Sequence, residues 1–225
     1  MKYLIGHGTR HISNPFVIIN ADDFGYSKIF NEKILELLEK HFITSISIMV
    51  EWINGEQKNQ VEKLKDIRNN FEVSAGLHIE FKNENFESQI QEQFNKFISI
   101  FGFEPDHIDL HKSTYLQNGY PAIIKFCFEK GIPCRNHGNM EYDAITTDFP
   151  VYNATKRNAE EIKEWLSGLE SKKTYMINFH PGIYDPDSKS GLNKKREADA
   201  KNIEAIQPFL QELSIKLTSF RQLSK

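Results

Sequence analysis

Short apolar segments alternate with longer amphipathic stretches along the chain from Phe16 onward. Several of the apolar segments are continuously apolar or rich in β-branched residues, as expected for strands buried on both faces of a parallel sheet. Strands are predicted over Phe16–Asn20, Ile43–Val50, Val73–Leu77, His107–Leu110, Ile132–Arg135, Tyr175–Phe179 and Ile215–Thr218. Strands that alternate with helical patterns in this way predict an α/β fold built from repeated βα units around a mainly parallel sheet.

The stretches between the strands carry helical periodicity and helix-capping residues. Helices are predicted over Lys28–Lys40, Ser88–Phe101, Tyr120–Lys130, Ala159–Leu169 and Lys194–Leu213. Ser27 is suited to cap the first of these helices, and Asn158 with Glu161 three residues later forms a cap-like pair for the fourth. The segment Pro186–Leu192 is predicted to be an exposed loop because it is rich in residues that favour turns.

The composition is that of an ordinary globular protein, with 39% hydrophobic and 26% charged residues. The formal charge is −3 and the basic residues are not clustered, so neither a nucleic acid nor an anionic membrane is expected as a partner. No segment has the roughly 20 apolar residues that span a bilayer, and the amino-terminus lacks the apolar core of a signal peptide, which predicts a cytoplasmic protein. Residues 1–14 are expected to form an N-terminal extension, followed by a single domain over residues 15–225.

Polar clusters follow directly on four of the predicted strands. The motif ADDFG follows the first strand, and His78, His111 and the motif HPG follow the third, fourth and sixth. The carboxyl ends of parallel strands meet at one rim of a sheet or barrel, so residues that are remote in sequence can form one site there.

The first cluster contains two adjacent carboxylates, Asp22 and Asp23, which would point to opposite faces of an extended strand. The following Phe24-Gly25 pair indicates a turn that could bring both to one site. One carboxylate with two imidazoles is a common arrangement for a divalent ion with open positions, and the second carboxylate could then act as a general base. The alternative is a solvated turn that caps the next helix.

Histidines supply the other candidate ligands. His78 follows an apolar strand and a glycine, where a core histidine bonded to a backbone carbonyl is the alternative to a ligand. His107, Asp109 and His111 alternate and therefore lie on one face of an extended strand, for which a polar edge strand is the alternative. Asp109 could accept a hydrogen bond from a metal-bound imidazole and orient it.

Two further residues are candidates for the chemistry. His180 stands between a strand and a Pro-Gly turn that would hold its ring at the rim, where an imidazole can donate a proton to a leaving amine. Arg135 comes off another predicted strand and could bind a carboxylate, either that of a substrate or that of the base. A surface ion pair is the alternative for Arg135.

The motifs NADDFG, GLH, HIDLH and NFHPG, in this order, resemble those of the YdjC-like carbohydrate deacetylases, the group that contains the chitooligosaccharide deacetylases. The resemblance extends from Val17 to about Arg196. It implies a distorted (β/α) barrel like that of polysaccharide deacetylases and one divalent metal ion, Mg²⁺ or Zn²⁺. It also implies an enzyme that removes acetyl groups from N-acetylated sugars or oligosaccharides by hydrolysis, in which the metal activates water. A homodimer is expected from the family alone.

The resemblance also assigns roles to individual residues. The metal ligands are Asp23, His78 and His111, the catalytic base is Asp22, and the catalytic acid is His180. Arg135 matches an arginine found near this strand in the family and is placed with the catalytic residues. His107 and Asp109 are expected to support the metal-bound histidines from behind.

Two segments depart from the family pattern. A further histidine commonly stands two residues after the DxH motif, whereas Lys112 and Ser113 follow His111 here. The segment after GLH commonly carries a substrate loop with Gly and Pro, whereas it reads IEFKNENFES here. Both changes concern the substrate more than the metal. The changed loop after His78 leaves open a hydrolase of another amide, ester or phosphoester on the same scaffold. A non-catalytic carbohydrate-binding or regulatory relative is a third alternative, against which the intact Asp22, Asp23, His78, His111 and His180 argue.

Overall fold

A parallel sheet of seven strands forms the centre of the structure, a computed structural model that describes residues 14–138, 140 and 142–223. The strands are β1 (Phe16–Phe24), β2 (Ser45–Ile48), β3 (Ser74–Ile79), β4 (Ile108–Leu110), β5 (Tyr152–Asn153), β6 (Thr174–Phe179) and β7 (Lys216–Leu217). Every strand pairing among them is parallel, which confirms the predicted α/β class with mainly parallel strands.

The sheet curls around its own interior. Its strand order is β4-β3-β2-β1-β6-β5, and β7 pairs with the first two residues of β1. Beyond β4, Cys134 forms a single bridge to Ile108, and the Val151 N–H donates to the Asn136 carbonyl at 2.8 Å. These contacts place the segment 134–136 between β4 and β5, so that the two ends of the sheet approach each other as in a distorted barrel.

Helices connect the strands and pack on the sheet. They are α1 (Lys28–Glu39), α2 (Lys58–Asn70), α3 (Phe86–Phe101), α4 (Tyr120–Lys130), α5 (Ala159–Ser167) and α6 (Arg196–Glu212). The predicted caps are confirmed, because Ser27 accepts a hydrogen bond from the Ile29 N–H and Asn158 forms a capping box with Glu161. Buried apolar residues of the helices and strands form one large core cluster.

Three parts of the sequence prediction need correction. Ile132–Arg135 is not a strand, because the Cys134 N–H donates to a carbonyl in an irregular segment, that of Ile145. Strand β5 is only two residues long, too short to give a periodic pattern. Helix α2 was not predicted, because its mean hydropathy is low and its apolar positions are few.

The strands also extend further toward the polar motifs than predicted. Asp22 and Asp23 lie within β1, and His78 lies within β3 rather than after it. The predicted extension over residues 1–14 lies, except for Asn14, outside the described residues, and the single domain over residues 15–225 stays a prediction. No helix in the described ranges is both long and apolar enough to cross a bilayer.

Candidate metal and catalytic site

The interior of the curled sheet becomes polar toward the carboxyl ends of its strands. A small buried cluster at the other end consists of Ile18, Met176 and Phe220. Two residues further along β1 and β6, Asn20 and Asn178 lie side by side, and the Asn20 side chain donates to that of Asn178 at 3.1 Å. Because side chains alternate along a strand, the next residues on this face are Asp22 and His180.

A left-handed turn brings Asp23 to the same site as Asp22. Asp23 has a φ of +71°, and the pairing of β1 with β2 shifts register between Ala21 and Phe24. Gly25 follows with a φ of +99°, and a Cβ there would lie 2.8 Å from the Met49 carbonyl oxygen. A non-glycine residue in this conformation is uncommon and costs free energy, so the turn is a local strain that places two adjacent carboxylates on one side.

Asp23, His78 and His111 form a group that could hold a metal ion, since one ligand atom from each lies within 4.8 Å of the others. Asp23 Oδ1 is 3.6 Å from His78 Nε2 and 3.3 Å from His111 Nδ1. In the described part of the chain, none of these three buried atoms has a hydrogen-bonding partner. Unpaired buried polar atoms are rare and costly, so three that converge on one point fit a cation.

The other oxygen of Asp23 is held by Arg196, which the sequence analysis did not identify. Arg196 Nη2 donates to Asp23 Oδ2 at 2.5 Å, and the Arg196 side chain is fully buried. Its guanidinium carbon lies 4.0 Å from the centre of the Phe30 ring. Arg196 is the first residue of α6, a helix rich in polar residues, and nothing in the local sequence indicates that its side chain is buried in the site.

Burial alone would raise the pKa of Asp23, but His111 and the charges of His180 and Arg196 hold it well below its ordinary value. The carboxylate is therefore ionised at neutral pH, as a metal ligand must be.

Asp22 has every hydrogen-bonding position of its carboxylate filled. Arg135 donates to both of its oxygens, at 2.5 and 2.9 Å, and Asn20 and Asn178 each donate at 2.7 Å. Burial raises the pKa of Asp22, but the charges of Arg135 and His78 outweigh it and hold the pKa well below its ordinary value. The surface ion pair considered for Arg135 is wrong, because this side chain is only 3% exposed and binds the carboxylate of the predicted base.

Asp109 lies behind His78, on the face that the alternation in HIDLH predicted, and its support of a metal-bound His78 stays a prediction. Its Oδ2 lies 3.0 Å from His78 Nδ1 and 2.7 Å from Arg135 Nη1. Its Oδ1 accepts from the Leu110 N–H at 2.6 Å and lies 2.8 Å from His137 Nε2. Burial lowers the pKa of His78, but the charges of Asp22 and Asp109 raise it overall.

A second possible metal group consists of Asp22, His78 and Asp109. Its two carboxylates already bind Arg135, and each has further donors, so a cation there would have to displace these partners. The group formed by Asp23, His78 and His111 is therefore the better candidate.

His107 lies deeper in the interior than its two neighbours on the same face. Its Nε2 is 3.3 Å from Ser47 Oγ, and its ring stacks on Phe220 with a centroid distance of 4.0 Å. Gly76 makes room for it, because a Cβ at that position would lie 2.2 Å from the imidazole. His107 thus packs beneath the candidate ligands instead of against them, and its predicted support of the metal-bound histidines stays a prediction.

His180 is held by two residues that the sequence analysis did not identify. Its Nδ1 is 2.8 Å from Thr155 Oγ1, and its backbone N–H donates to Asp199 Oδ2 at 2.8 Å. Thr155 Oγ1 also lies 3.3 Å from Asp199 Oδ2. These contacts leave His180 Nε2 directed toward Asp22, at 3.6 Å from its Oδ2.

His137 was also missed, although the sequence carries a sign of it. His137 stands two residues after Arg135, so an extended segment puts both on one face, and both contact Asp109. Arg135 and His137 also line a cavity of about 350 Å³ at the rim, with Asp22, His111 and His180. This volume suits a small polar ligand.

The site as a whole carries a negative charge when its histidines are neutral. Asp22, Asp23 and Asp109 are three buried carboxylates, and the buried Arg135 and Arg196 supply two guanidinium groups against them. The remaining negative charge favours a cation over an anion at the unpaired atoms.

Comparison with known proteins agrees with this picture. A carbohydrate deacetylase from Clostridium beijerinckii is 24% identical over 249 residues, which cover 92% of this chain and 99% of that protein. A crystal structure from Enterococcus faecalis V583, named as a candidate cellobiose-phosphate cleavage protein, superposes with a TM-score of 0.77 and 18% identity, covering 95% of this chain and 100% of that one.

A chitin deacetylase from the fungal pathogen Colletotrichum lindemuthianum superposes with a TM-score of 0.60 and 13% identity, covering 94% of this chain and 88% of that one. The two structures confirm the predicted distorted (β/α) barrel of the polysaccharide-deacetylase type. The sequence profile described as YdjC-like protein matches residues 16–85 and 57–213. Because these two matches cover most of the chain, it belongs to the family of YdjC-like proteins.

Proposed function

We propose that this protein is a metal-dependent carbohydrate deacetylase, which removes acetyl groups from N-acetylated sugars or oligosaccharides by hydrolysis. One observation carries the proposal: three unpaired ligand atoms, from Asp23, His78 and His111, lie beside a fully hydrogen-bonded carboxylate, Asp22. The relative from C. beijerinckii is a carbohydrate deacetylase, and the structural neighbour from C. lindemuthianum is a chitin deacetylase.

Asp23, His78 and His111 would hold one divalent ion. Two imidazoles and one carboxylate suit Zn²⁺ better than Mg²⁺, which prefers oxygen ligands. When bound, such an ion acts as a Lewis acid that makes water easier to deprotonate and an amide carbonyl easier to attack. Arg196 keeps the Asp23 carboxylate in one orientation, with Oδ1 turned toward the two histidines.

Asp22 would serve as the general base. Arg135, Asn20 and Asn178 fix its carboxylate from three sides, so the base does not have to be oriented during the reaction. Its low pKa keeps it ionised at neutral pH. Because all four of its hydrogen-bonding positions are filled, one donor would have to move away when Asp22 takes a proton from water.

His180 would serve as the general acid. Its Nδ1 is occupied by Thr155, which leaves Nε2 as the atom that faces the cavity and donates a proton to the departing amine of the sugar. The cavity wall between Asp22 and His180 would hold the acetamide group, since both residues line it. A cytoplasmic location, which rests on the sequence, and a homodimer, which rests on the family resemblance alone, are also proposed.

Acetate release from N-acetylglucosamine oligomers tests the proposal. Protein stripped with a chelator should release no acetate, and adding back Zn²⁺ or Mg²⁺ should restore the release. Asp23→Asn should abolish the release even when metal is added. Asp66→Asn, at an exposed aspartate of α2, is its matched control and should behave like the unaltered protein. Equal release with and without chelator, or no release with either ion, would contradict the proposal. Cleavage of an aryl acetate without acetate release from the sugar would favour a hydrolase of another ester.

A further inference from the structure

A column of stacked side chains leads from the candidate ligand Asp23 to the protein surface. Arg196 binds Asp23 and lies over the ring of Phe30, at 4.0 Å from its centre. The Phe30 and Tyr26 rings are stacked with a centroid distance of 6.2 Å, and Tyr26 and Trp52 are stacked at 4.5 Å with an angle of 15°. Trp52 is the outer end of the column.

Trp52 is exposed and at the same time held in one orientation. Its side chain is 42% exposed, although one face of the indole lies against Tyr26. The indole N–H donates to Glu80 Oε2 at 2.7 Å, and Lys112 Nζ binds Glu80 Oε1 at 3.1 Å. An aromatic surface whose orientation is already fixed loses little conformational entropy when a ligand binds to it.

The residues that fix Trp52 come from the same rim as the candidate metal ligands. Glu80 stands two residues after His78, and Lys112 directly follows His111. These positions belong to the two segments that depart from the family pattern. The changes therefore affect the surroundings of Trp52 and leave the metal group intact.

A cavity of about 560 Å³ begins at this aromatic pair. Polar side chains line it beside the two aromatic rings, among them Asn54, Gln57, Asp185 and Lys189. The cavity starts within one turn of the candidate ligand, because the Tyr26 N–H donates to the Asp23 carbonyl at 3.1 Å. A flat apolar face with polar groups around it matches a sugar ring, which has an apolar C–H face and hydroxyl groups at its edge.

We propose that Trp52, backed by Tyr26, binds a neighbouring sugar ring of the substrate, next to the N-acetylated unit at the metal group. This inference rests on the proposed function and narrows the substrate class to N-acetylated oligosaccharides of two or more units. Trp52 is then a residue that determines specificity for chain length and does not take part in bond breaking.

Steady-state kinetics of acetate release with N-acetylglucosamine and its β-1,4-linked tetramer test the proposal. Trp52→Ala should raise the KM for the tetramer about tenfold, as expected for the loss of one aromatic contact, with kcat within about twofold. The monosaccharide should react as with the unaltered protein, and Trp52→Phe should retain most of the affinity. Phe71→Ala is the matched control, because Phe71 is also 42% exposed. An unchanged KM for the tetramer in Trp52→Ala would overturn the proposal.

Fluorescence provides a second measurement that does not depend on turnover or on the alanine variant. The chain has two tryptophans, Trp52 and Trp165, so Trp165→Phe leaves Trp52 as the remaining one. Titration with the tetramer should shift its emission with saturation, whereas the monosaccharide should not. Saturable binding without acetate release would support the proposed sugar-binding role of Trp52 and contradict the proposed deacetylase activity. Acetate release from the tetramer without any change in emission would overturn the proposed role of Trp52 and would still support the deacetylase activity.

Discussion

The two sides of the site, around Asp22 and around Asp23, differ in one respect that separates their roles. Both carboxylates are 2% exposed, and they are neighbours in the chain. On the Asp22 side, Arg135, Asn20 and Asn178 fill every hydrogen-bonding position. On the Asp23 side, one oxygen is bound by Arg196 and the other has no hydrogen-bonding partner among the described residues.

This difference shows how one fold gives two adjacent aspartates different surroundings, which suit the different roles proposed for them. A saturated carboxylate is fixed in place and stays ionised, and it has no free lone pair for a metal without losing a partner. The Asp23 carboxylate has one oxygen without a hydrogen-bonding partner, beside the unpaired Nε2 of His78 and Nδ1 of His111. A bound cation would give these buried atoms a partner. The number of hydrogen bonds therefore distinguishes the proposed base from the proposed ligand, which residue type alone does not.

The largest effect is expected when the fully hydrogen-bonded carboxylate of Asp22 is replaced by an amide. Asp22→Asn should lower kcat by a factor on the order of 10³ to 10⁴, because the general base is lost, whereas one equivalent of metal should still bind. Acetate release and metal analysis of the same preparation measure the two effects. Full activity of Asp22→Asn on an N-acetylated sugar would show that Asp22 is not the base.

Removing Arg135, the positive charge beside Asp22, should lower the stability of the protein. Arg135→Met leaves Asp22 and Asp109 buried without their shared guanidinium, so the free energy of unfolding should fall by about 3–5 kcal/mol. Urea denaturation measures it. The matched control is Arg157→Met, which breaks an exposed pair with Glu161 and should change stability little. Equal losses in the two variants would mean that the buried pairing contributes nothing special.

Adding a metal should stabilise the protein through Asp23, His78 and His111, and not through Asp22. At a Zn²⁺ concentration of about 100 times its Kd, the free energy of unfolding should rise by roughly 2.7 kcal/mol. The gain should disappear in His111→Ala and persist in Asp22→Asn and in His41→Ala, which alters an exposed histidine. Thermal or urea denaturation with and without Zn²⁺ measures it. A gain that survives in His111→Ala would place the metal elsewhere.

The smallest expected effect, about 2 kcal/mol between pH 7 and pH 5, concerns His107, which lies beneath Asp22 and Asp23. Burial, with the charge of Arg135, lowers the pKa of His107 to about 3, whereas an unfolded histidine titrates near 6.5. The unfolded chain therefore takes up a proton that the folded protein does not. The contribution of His107 to the free energy of unfolding should be constant above about pH 6.5. Below that pH it should fall by roughly 1.4 kcal/mol per pH unit, until the pKa of the folded state is reached.

His107→Gln should remove this contribution, so the difference in unfolding free energy between the variant and the unaltered protein should change between pH 7 and pH 5. Urea denaturation at several pH values measures the slope. His41→Gln, at an exposed histidine, is the matched control. Identical slopes for His107→Gln and the unaltered protein would contradict a buried neutral His107.

Much of the fold and of the site could be predicted from local patterns. The alternation of apolar segments and amphipathic stretches predicted the parallel strands, because strands buried on both faces must be apolar. Since such strands end at one rim, the motifs around Asp22, His78, His111 and His180 could be expected to meet there, and the structure brings them together. The alternation in HIDLH also predicted that Asp109 faces the same interior.

The sequence by itself determined which side chains reach the rim, because the two-residue repeat of a strand is a local property. Only the tertiary structure decided which hydrogen-bonding partners each of them has there. Arg135, Asn178 and Arg196 donate to Asp22 or Asp23 from 113, 156 and 173 residues away. No local pattern encodes such distant donors, yet they decide which carboxylate is filled and which keeps an oxygen free for a cation.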